Sequence, residues 1–231
     1  MKRSQTIALI AVFAALNAVC DSLVGLPQDI VWYGWIFLIE PLNGVVLGPL
    51  AGALSTLIGV IVGHTIYFRG ETEYLFTIGA PLGAMISGLV YRKRWRLVLV
   101  YYTMLFVAYF LTPVAWNLPL WGMWDTILAF AVLCAIYTLI VRFNSRIVEE
   151  EKYILPISAF IGLEADILFR IFLLIPCQTY RLFFGFSVEA LQAIWGVAAF
   201  VTPIQVAISM IVTTLVGLQA LRLFGNERDS T

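Results

Sequence analysis

An all-α, polytopic membrane helix bundle of about eight transmembrane helices is the fold class that this sequence predicts, on three observations. Hydrophobic residues fill 61% of the 231 positions and charged residues 12%, for a mean hydropathy of +0.94. That leaves too little polar surface to cover a water-facing fold of this size. Apolar runs close to the length of a bilayer crossing recur along the whole chain, and the short segments between them hold most of the charge. Small residues return every four positions inside those runs, as Gly44, Gly48 and Gly52, then as Ser55, Gly59 and Gly63. Helices already in lipid gain nothing from the hydrophobic effect when they meet, so stripes that let backbones touch are their packing surfaces.

The first span runs from Thr6 to Leu26 behind Met1-Lys2-Arg3. No small-residue cleavage site follows a short apolar core, so it reads as a retained helix and not as a signal peptide. Ala11, Ala14, Ala15 and Ala18 give it two small-xxx-small pairs. An aromatic connector, Gln28 to Trp35, contains Trp32 and Tyr33 and has interfacial character. The stretch from Glu40 to Tyr67 organises the rest: a short second span, roughly 15 residues or 22 Å by helix rise, and a longer third meet at Gly48-Pro49. After Arg69 to Glu73, the fourth span runs from Tyr74 to Tyr91 with Gly79, Gly83 and Ser87 on it, and stops at Arg92-Lys93-Arg94-Trp95-Arg96. The fifth covers Leu97 to Ala115. The sixth, Thr126 to Phe143, follows a connector rich in Trp and Pro. The seventh lies between Leu155 and Pro176, and the eighth occupies much of Ile194 to Leu223. Residues 1–231 form one transmembrane domain, with a core over 1–146 and two further helices over 153–224.

Loop charge sets the orientation, because short cytoplasmic loops are rich in Lys and Arg. With both termini inside, Lys2, Arg3, Arg92, Lys93, Arg94, Arg96, Arg142, Arg146, Lys152, Arg222 and Arg228 are cytoplasmic, and only Arg69 and Arg181 lie outside, an 11-to-2 bias. The plasma membrane is the expected location. Net charge is zero, so nothing attracts nucleic acid. Cys20, Cys134 and Cys177 are too scattered for a disulfide framework or a zinc site. The chain has no GxxxxGK[ST] phosphate loop, HExxH, CxxC or GxSxG, so neither an enzyme nor a resident cofactor is expected. Transport driven by ATP would need its ATPase on another polypeptide.

Ionisable groups inside the membrane are costly and therefore mark candidate sites. The densest set is Glu164, Asp166 and Arg170 on the seventh span. At about 100° per residue, Asp166 and Arg170 share a face as an i,i+4 pair, whereas Glu164 points about 160° away from Asp166. The pair can neutralise itself and hold helices together, or Arg170 and Glu164 can touch a ligand. His64, near the outer end of the third span, reads first as a hydrogen-bonded helix residue. Asp21, Glu40, Asn117 and Asp125 fall toward the outer side near Trp32, Tyr33, Trp116, Trp121 and Trp124. Rings flanking a few polar groups suit a small, flat, polar ligand, though the same tryptophans fit a headgroup-level belt. The candidate substrate-binding set is thus Trp32, Tyr33, Glu40, Trp116, Asn117, Trp121, Asp125, Glu164 and Arg170.

Three stretches carry a family resemblance: ALIAVFAALNAV in the first helix, LNGVVLGPLAGALSTLIGVIVG after it, and PLGAMISGLVYRKR closing the fourth. They resemble the substrate-binding S components of energy-coupling factor (ECF) transporters, over roughly residues 7 to 143. The resemblance implies a subunit of an ABC-type importer that binds a vitamin-like micronutrient at the extracellular side. It implies a pocket made by the first connector and the outer ends of later helices. It also implies docking, within the lipid, on a transmembrane coupling protein served by two ATPases. The docking motif of the first helix maps onto Ala11 and Ala15, or onto Ala14 and Ala18. Eight spans exceed the family's usual six, so the last two either cover the docking surface or complete the pocket. The rivals are a self-sufficient secondary transporter using Glu164, Asp166 and Arg170 as its coupling or substrate site, and an intramembrane enzyme or assembly subunit.

Overall fold

The computed structural model describes residues 3–25, 34–143 and 150–225, and every regular element among them is helical. The helices are α1 (Arg3–Ser22), α2 (Glu40–Leu47), α3 (Pro49–Ile66), α4 (Glu73–Phe76), α5 (Gly79–Tyr91), α6 (Trp95–Phe110), α7 (Trp124–Phe143), α8 (Glu151–Leu174), α9 (Thr179–Leu182) and α10 (Val188–Gly225). Five stretches, Ser4–Ser22, Pro49–Ile66, Glu73–Tyr91, Leu120–Arg142 and Val188–Leu223, are long and apolar enough to cross a membrane. Ile36–Leu47 and Trp95–Phe110 are apolar but shorter. The 24 residues of α8 are long enough, yet they carry Glu164, Asp166 and Arg170.

Local chemistry explains where the elements depart from the expected runs. The fourth segment runs as one stretch over Glu73–Tyr91, with a turn at Thr77 and Ile78, both at right-handed helical angles, between α4 and α5. The fifth ends at Phe110, and a 3-10 turn over Pro113–Asn117 replaces its last turn. The last helix begins six residues before Ile194 and runs unbroken for 38 residues despite Pro203 inside it. A proline there removes one backbone donor and orphans the carbonyl four residues earlier. Trp124 repairs the loss by donating its indole N–H to the Ala199 oxygen at 2.9 Å.

Glycine brings the helices together at distances no side chain would allow. A Cβ on Gly44 of α2 would lie 1.8 Å from the Ala84 carbonyl oxygen of α5, and one on Gly88 would lie 2.6 Å from the Gly44 oxygen. The α1–α3 crossing repeats the device, since a Cβ on Gly59 would meet the Ala14 oxygen at 2.6 Å and one on Gly63 the Ala18 oxygen at 3.0 Å. Gly48 makes the α2–α3 turn at φ 90°, beside the Arg92 guanidinium, so this turn and the α5–α6 turn share one end of the bundle.

Side-chain hydrogen bonds then fix the register. Asn43 donates to Asn17 Oδ1 at 2.9 Å and to Thr56 Oγ1 at 2.8 Å, joining α1, α2 and α3. Tyr101 and Tyr102 of α6 donate to the Ala165 and Ile161 carbonyls of α8 at 2.8 and 2.6 Å. Packed on one side by α5 and on others by α6, α7 and α10, α8 is the central helix. Its Leu155, Ala159, Ile161, Ala165 and Leu168 are fully buried. The helices over 153–224 are therefore integral to the bundle.

Two glycines provide a matched test of this packing. Gly44→Ala places its methyl on backbone and is expected to cost about 1–3 kcal/mol by overpacking. Gly196→Ala meets only Trp121, at 3.7 Å, and should be neutral or slightly stabilising. Thermal unfolding of the two variants in one detergent should separate them; equal midpoints would contradict the crossing.

Candidate functional site

A cavity of about 390 Å³ opens at the end of the bundle opposite Gly48 and Arg92. This is the volume of a small-molecule site. Its apolar walls include Phe37, Phe76, Phe184, Phe186 and Trp195, and its polar lining comprises Glu73, Asp125, Thr126, Asp166, Arg170, Thr202 and Gln205. The walls come from the segment before α2, from α4, the start of α7, the last turns of α8, the loop before α10 and α10 itself. The last two long helices therefore complete the cavity.

Two carboxyl constellations shape the polar side. Asp166 and Arg170 form a two-pronged pair, with Nε donating to Oδ1 at 2.7 Å and Nη2 to Oδ2 at 3.0 Å. Gly79 makes room for it, because a Cβ there would lie 1.9 Å from Asp166 Oδ1. On the opposite wall, Asp125 accepts from the Thr126 N–H at 3.0 Å and from the Thr202 hydroxyl. Behind it Glu164 accepts from the Thr126 hydroxyl at 2.7 Å, so Thr126 donates to both carboxyl groups.

A second cluster adjoins the first through Gly34, Ile36, Glu73 and Arg170, which line both the cavity and a neighbouring void of about 20 Å³. His64 Nδ1 lies 2.6 Å from Asp21 Oδ2, and Nε2 lies 3.1 Å from the Thr77 hydroxyl. Arg69 donates to the Asp21 carbonyl and approaches the Asp21 carboxylate at 3.5 Å. With both ring nitrogens engaged, His64 links α1, α3 and the turn between α4 and α5.

Of the residues singled out in the sequence, Asp125 and Arg170 line the cavity and Glu164 stands directly behind Asp125. Glu40 is fully buried one turn deeper, where Gly83 makes room for it, with a Cβ there only 1.9 Å from Glu40 Oε1. Neither Glu40 oxygen has a hydrogen-bond partner among the described residues. Trp116 and Trp121 do not join the cavity: they are 71% and 55% exposed, as residues of a headgroup belt would be. Asn117 is also exposed and uses its carbonyl to accept from Gln192 at 2.8 Å. Trp32 and Tyr33 lie outside the described residues. Ala14 and Ala18, candidates for docking, are consumed by packing on Gly59 and Gly63, whereas Ala11 and Ala15 remain exposed.

The phenylalanines at 37, 76, 184 and 186, together with Trp195, escaped the sequence reading because nothing marks a lining ring in so aromatic a chain. Thr202, Gln205, Ser209 and Thr213 did leave a signal, a buried polar stripe at helical spacing in α10. Fold and site together define a helical bundle, with five stretches long and apolar enough to cross a membrane and an open-mouthed cavity of small-molecule size at one end. Comparison with known protein families, with curated protein sequences and with solved structures finds no match.

Breaking the Asp166–Arg170 pair from one side leaves an uncompensated charge. Arg170→Met should therefore destabilise the chain by roughly 3 kcal/mol, and the double variant Asp166→Asn/Arg170→Met should recover most of it. Chemical unfolding of the four chains in one micelle, closed as a double-mutant cycle, checks this; additive losses would show that the pair is not coupled.

Proposed function

We propose that this chain is the membrane-embedded substrate-binding subunit of an ECF-type importer. In this reading it captures a vitamin-like micronutrient at the extracellular face of the plasma membrane and delivers it with a separate coupling protein and two ATPases. The cavity carries the proposal, because it is large enough for a small metabolite, lined by rings and a few convergent polar groups, and set at one end of the bundle. The eight-span topology with both termini inside belongs to the same proposal. Among the described residues it puts Arg92, Lys93, Arg94, Arg96, Arg142, Lys152 and Arg222 on the cytoplasmic side and leaves the cavity on the other.

The docking surface in this proposal is the outward face of α1, where Ala11 and Ala15 sit among exposed Ile7, Val12, Leu16 and Val19. Small residues in an apolar face permit close helix approach without hydrophobic drive. Secondary transport is the competing reading, and the buried carboxyl groups of Asp125 and Glu164 at the cavity favour it, since acids inside a membrane bundle mark proton pathways.

Native mass spectrometry of the detergent-purified chain tests the binding reading directly. A vitamin-sized molecule carried through purification supports it; an empty chain that co-purifies with no coupling protein or ATPase favours the carrier. Ala11→Trp or Ala15→Trp should abolish co-purification with the partners and spare ligand binding. Glu164→Gln with Asp166→Asn should abolish uptake driven by a proton gradient if the chain is a carrier. In a binding subunit, uptake should instead cease when the partner ATPases are inactivated.

A further inference from the structure

The charge on the cavity wall is unbalanced. Among the described lining residues Glu73, Asp125 and Asp166 are acidic and Arg170 alone is basic. The Arg170 charge is neutralised by the two-pronged pair with Asp166, which leaves it a weak attractor for an anion. Arg170 is also within the field of Glu73 and Glu40, which compensates it further. The remaining lining carboxyl opposite is Asp125, with Glu164 behind it and Thr126 donating to both. Glu164 is fully buried, and its Oε1 has no hydrogen-bond partner among the described residues.

We propose that the cavity takes a small organic cation, an ammonium or a protonated heterocycle, whose charge sits beside Asp125 and whose apolar part lies against Phe37, Phe184, Phe186 and Trp195. This rests on the reading of the chain as a small-molecule binder and names its ligand class. The physics is that of a charge taken out of water: a cation entering a low-dielectric cavity needs a nearby carboxylate, and ring faces with negative quadrupoles add to the attraction. The approach is charged in the same sense. Among the described residues the connectors on the cavity side supply Glu71, Glu73 and Glu189 against Arg69 and Arg181, a small acidic excess that favours cations at the mouth.

A charge series on one scaffold tests the inference: benzyltrimethylammonium, benzyl alcohol and phenylacetate, titrated into the full chain in detergent and followed by tryptophan fluorescence and thermal midpoint. The cation should bind at least tenfold more tightly than the other two. Asp125→Asn, and separately Glu73→Gln at the rim, should each collapse that preference by about tenfold or more; a folded variant of either kind suffices, with the helical circular dichroism signal as the control. Equal binding of the three probes, preference for phenylacetate, or a neutral or acidic molecule found in the cavity by native mass spectrometry would overturn the cationic class while leaving a binding subunit standing. A chain that binds no probe and carries nothing through purification would count against both.

Discussion

Gly83 stands where α2, α5 and α8 meet, and the absence of a side chain there sets the geometry of the whole bundle. The site a methyl would occupy is already filled by the Glu40 carboxylate, and the Gly162 carbonyl oxygen closes it from α8 at 2.9 Å. Four residues either way the constraint repeats. Gly79 yields its volume to Asp166, and Ser87 presses against Gly162, whose Cβ would lie 1.7 Å from the serine oxygen. Lipid offers no hydrophobic gain for helix association, so contact of this closeness is where the stabilisation has to come from. The same stripe does a second thing: it leaves room for acids between helices.

Acids so placed must be compensated within the protein, and the compensation ties remote helices together. Asp166 is answered by Arg170 on its own helix, Asp21 by His64 and Arg69 from α3 and the segment after it, Asp125 by Thr202 from α10, and Glu164 by Thr126 from α7. Every link but the Asp166–Arg170 pair joins segments far apart in the chain, so polar pairing and small-residue packing act on the same helices. That is why α8 is central although its charge makes it the least membrane-like helix of the longer set. Its ionisable groups point into the bundle, and the Tyr101 and Tyr102 hydroxyls bind its carbonyls from α6.

Much of this was legible before any coordinates. Helical class, the Gly48 turn, the small-residue stripes and the opposed faces of Glu164 and Asp166 all follow from period and composition, since 3.6 residues per turn fixes which positions share a side. Asp125, Glu164 and Arg170 were legible as polar exceptions in apolar runs. Other features were not, for definite reasons. Trp116 and Trp121 look the same in sequence whether they face a ligand or lipid headgroups, and only exposure tells them apart. The four alanines of α1 form two equivalent pairs on paper, and the glycines of α3 choose between them by burying Ala14 and Ala18. The turn at Thr77–Ile78 inside the fourth stretch carries no Gly or Pro of its own, so nothing in the sequence marks it.

The position of the cavity follows from how the two ends of the bundle are built. At one end the helices turn on minimal connections: Gly48 alone between α2 and α3, and Arg92 to Arg94 between α5 and α6. Helices that turn so tightly stay in contact to their tips and leave no space. At the other end they stop early and are joined by longer segments, as between Phe110 and Trp124 or between Leu174 and Val188. Short helical turns and loops cannot fill the volume that full helices vacate, and their backbone groups need partners away from lipid. Water or a ligand must share that space. Trp35 shows the arrangement, donating its indole N–H to the Val24 oxygen at 3.1 Å and its backbone N–H to the Cys20 oxygen at 3.0 Å, so that the segment entering α2 is held across the end of α1. The same irregular backbone that weakens helix packing at this end creates the cavity and supplies Gly34, Glu73, Gly122 and Phe184 to its walls. A bundle whose turns were equally tight at both ends would be better packed and would have nowhere to hold a ligand.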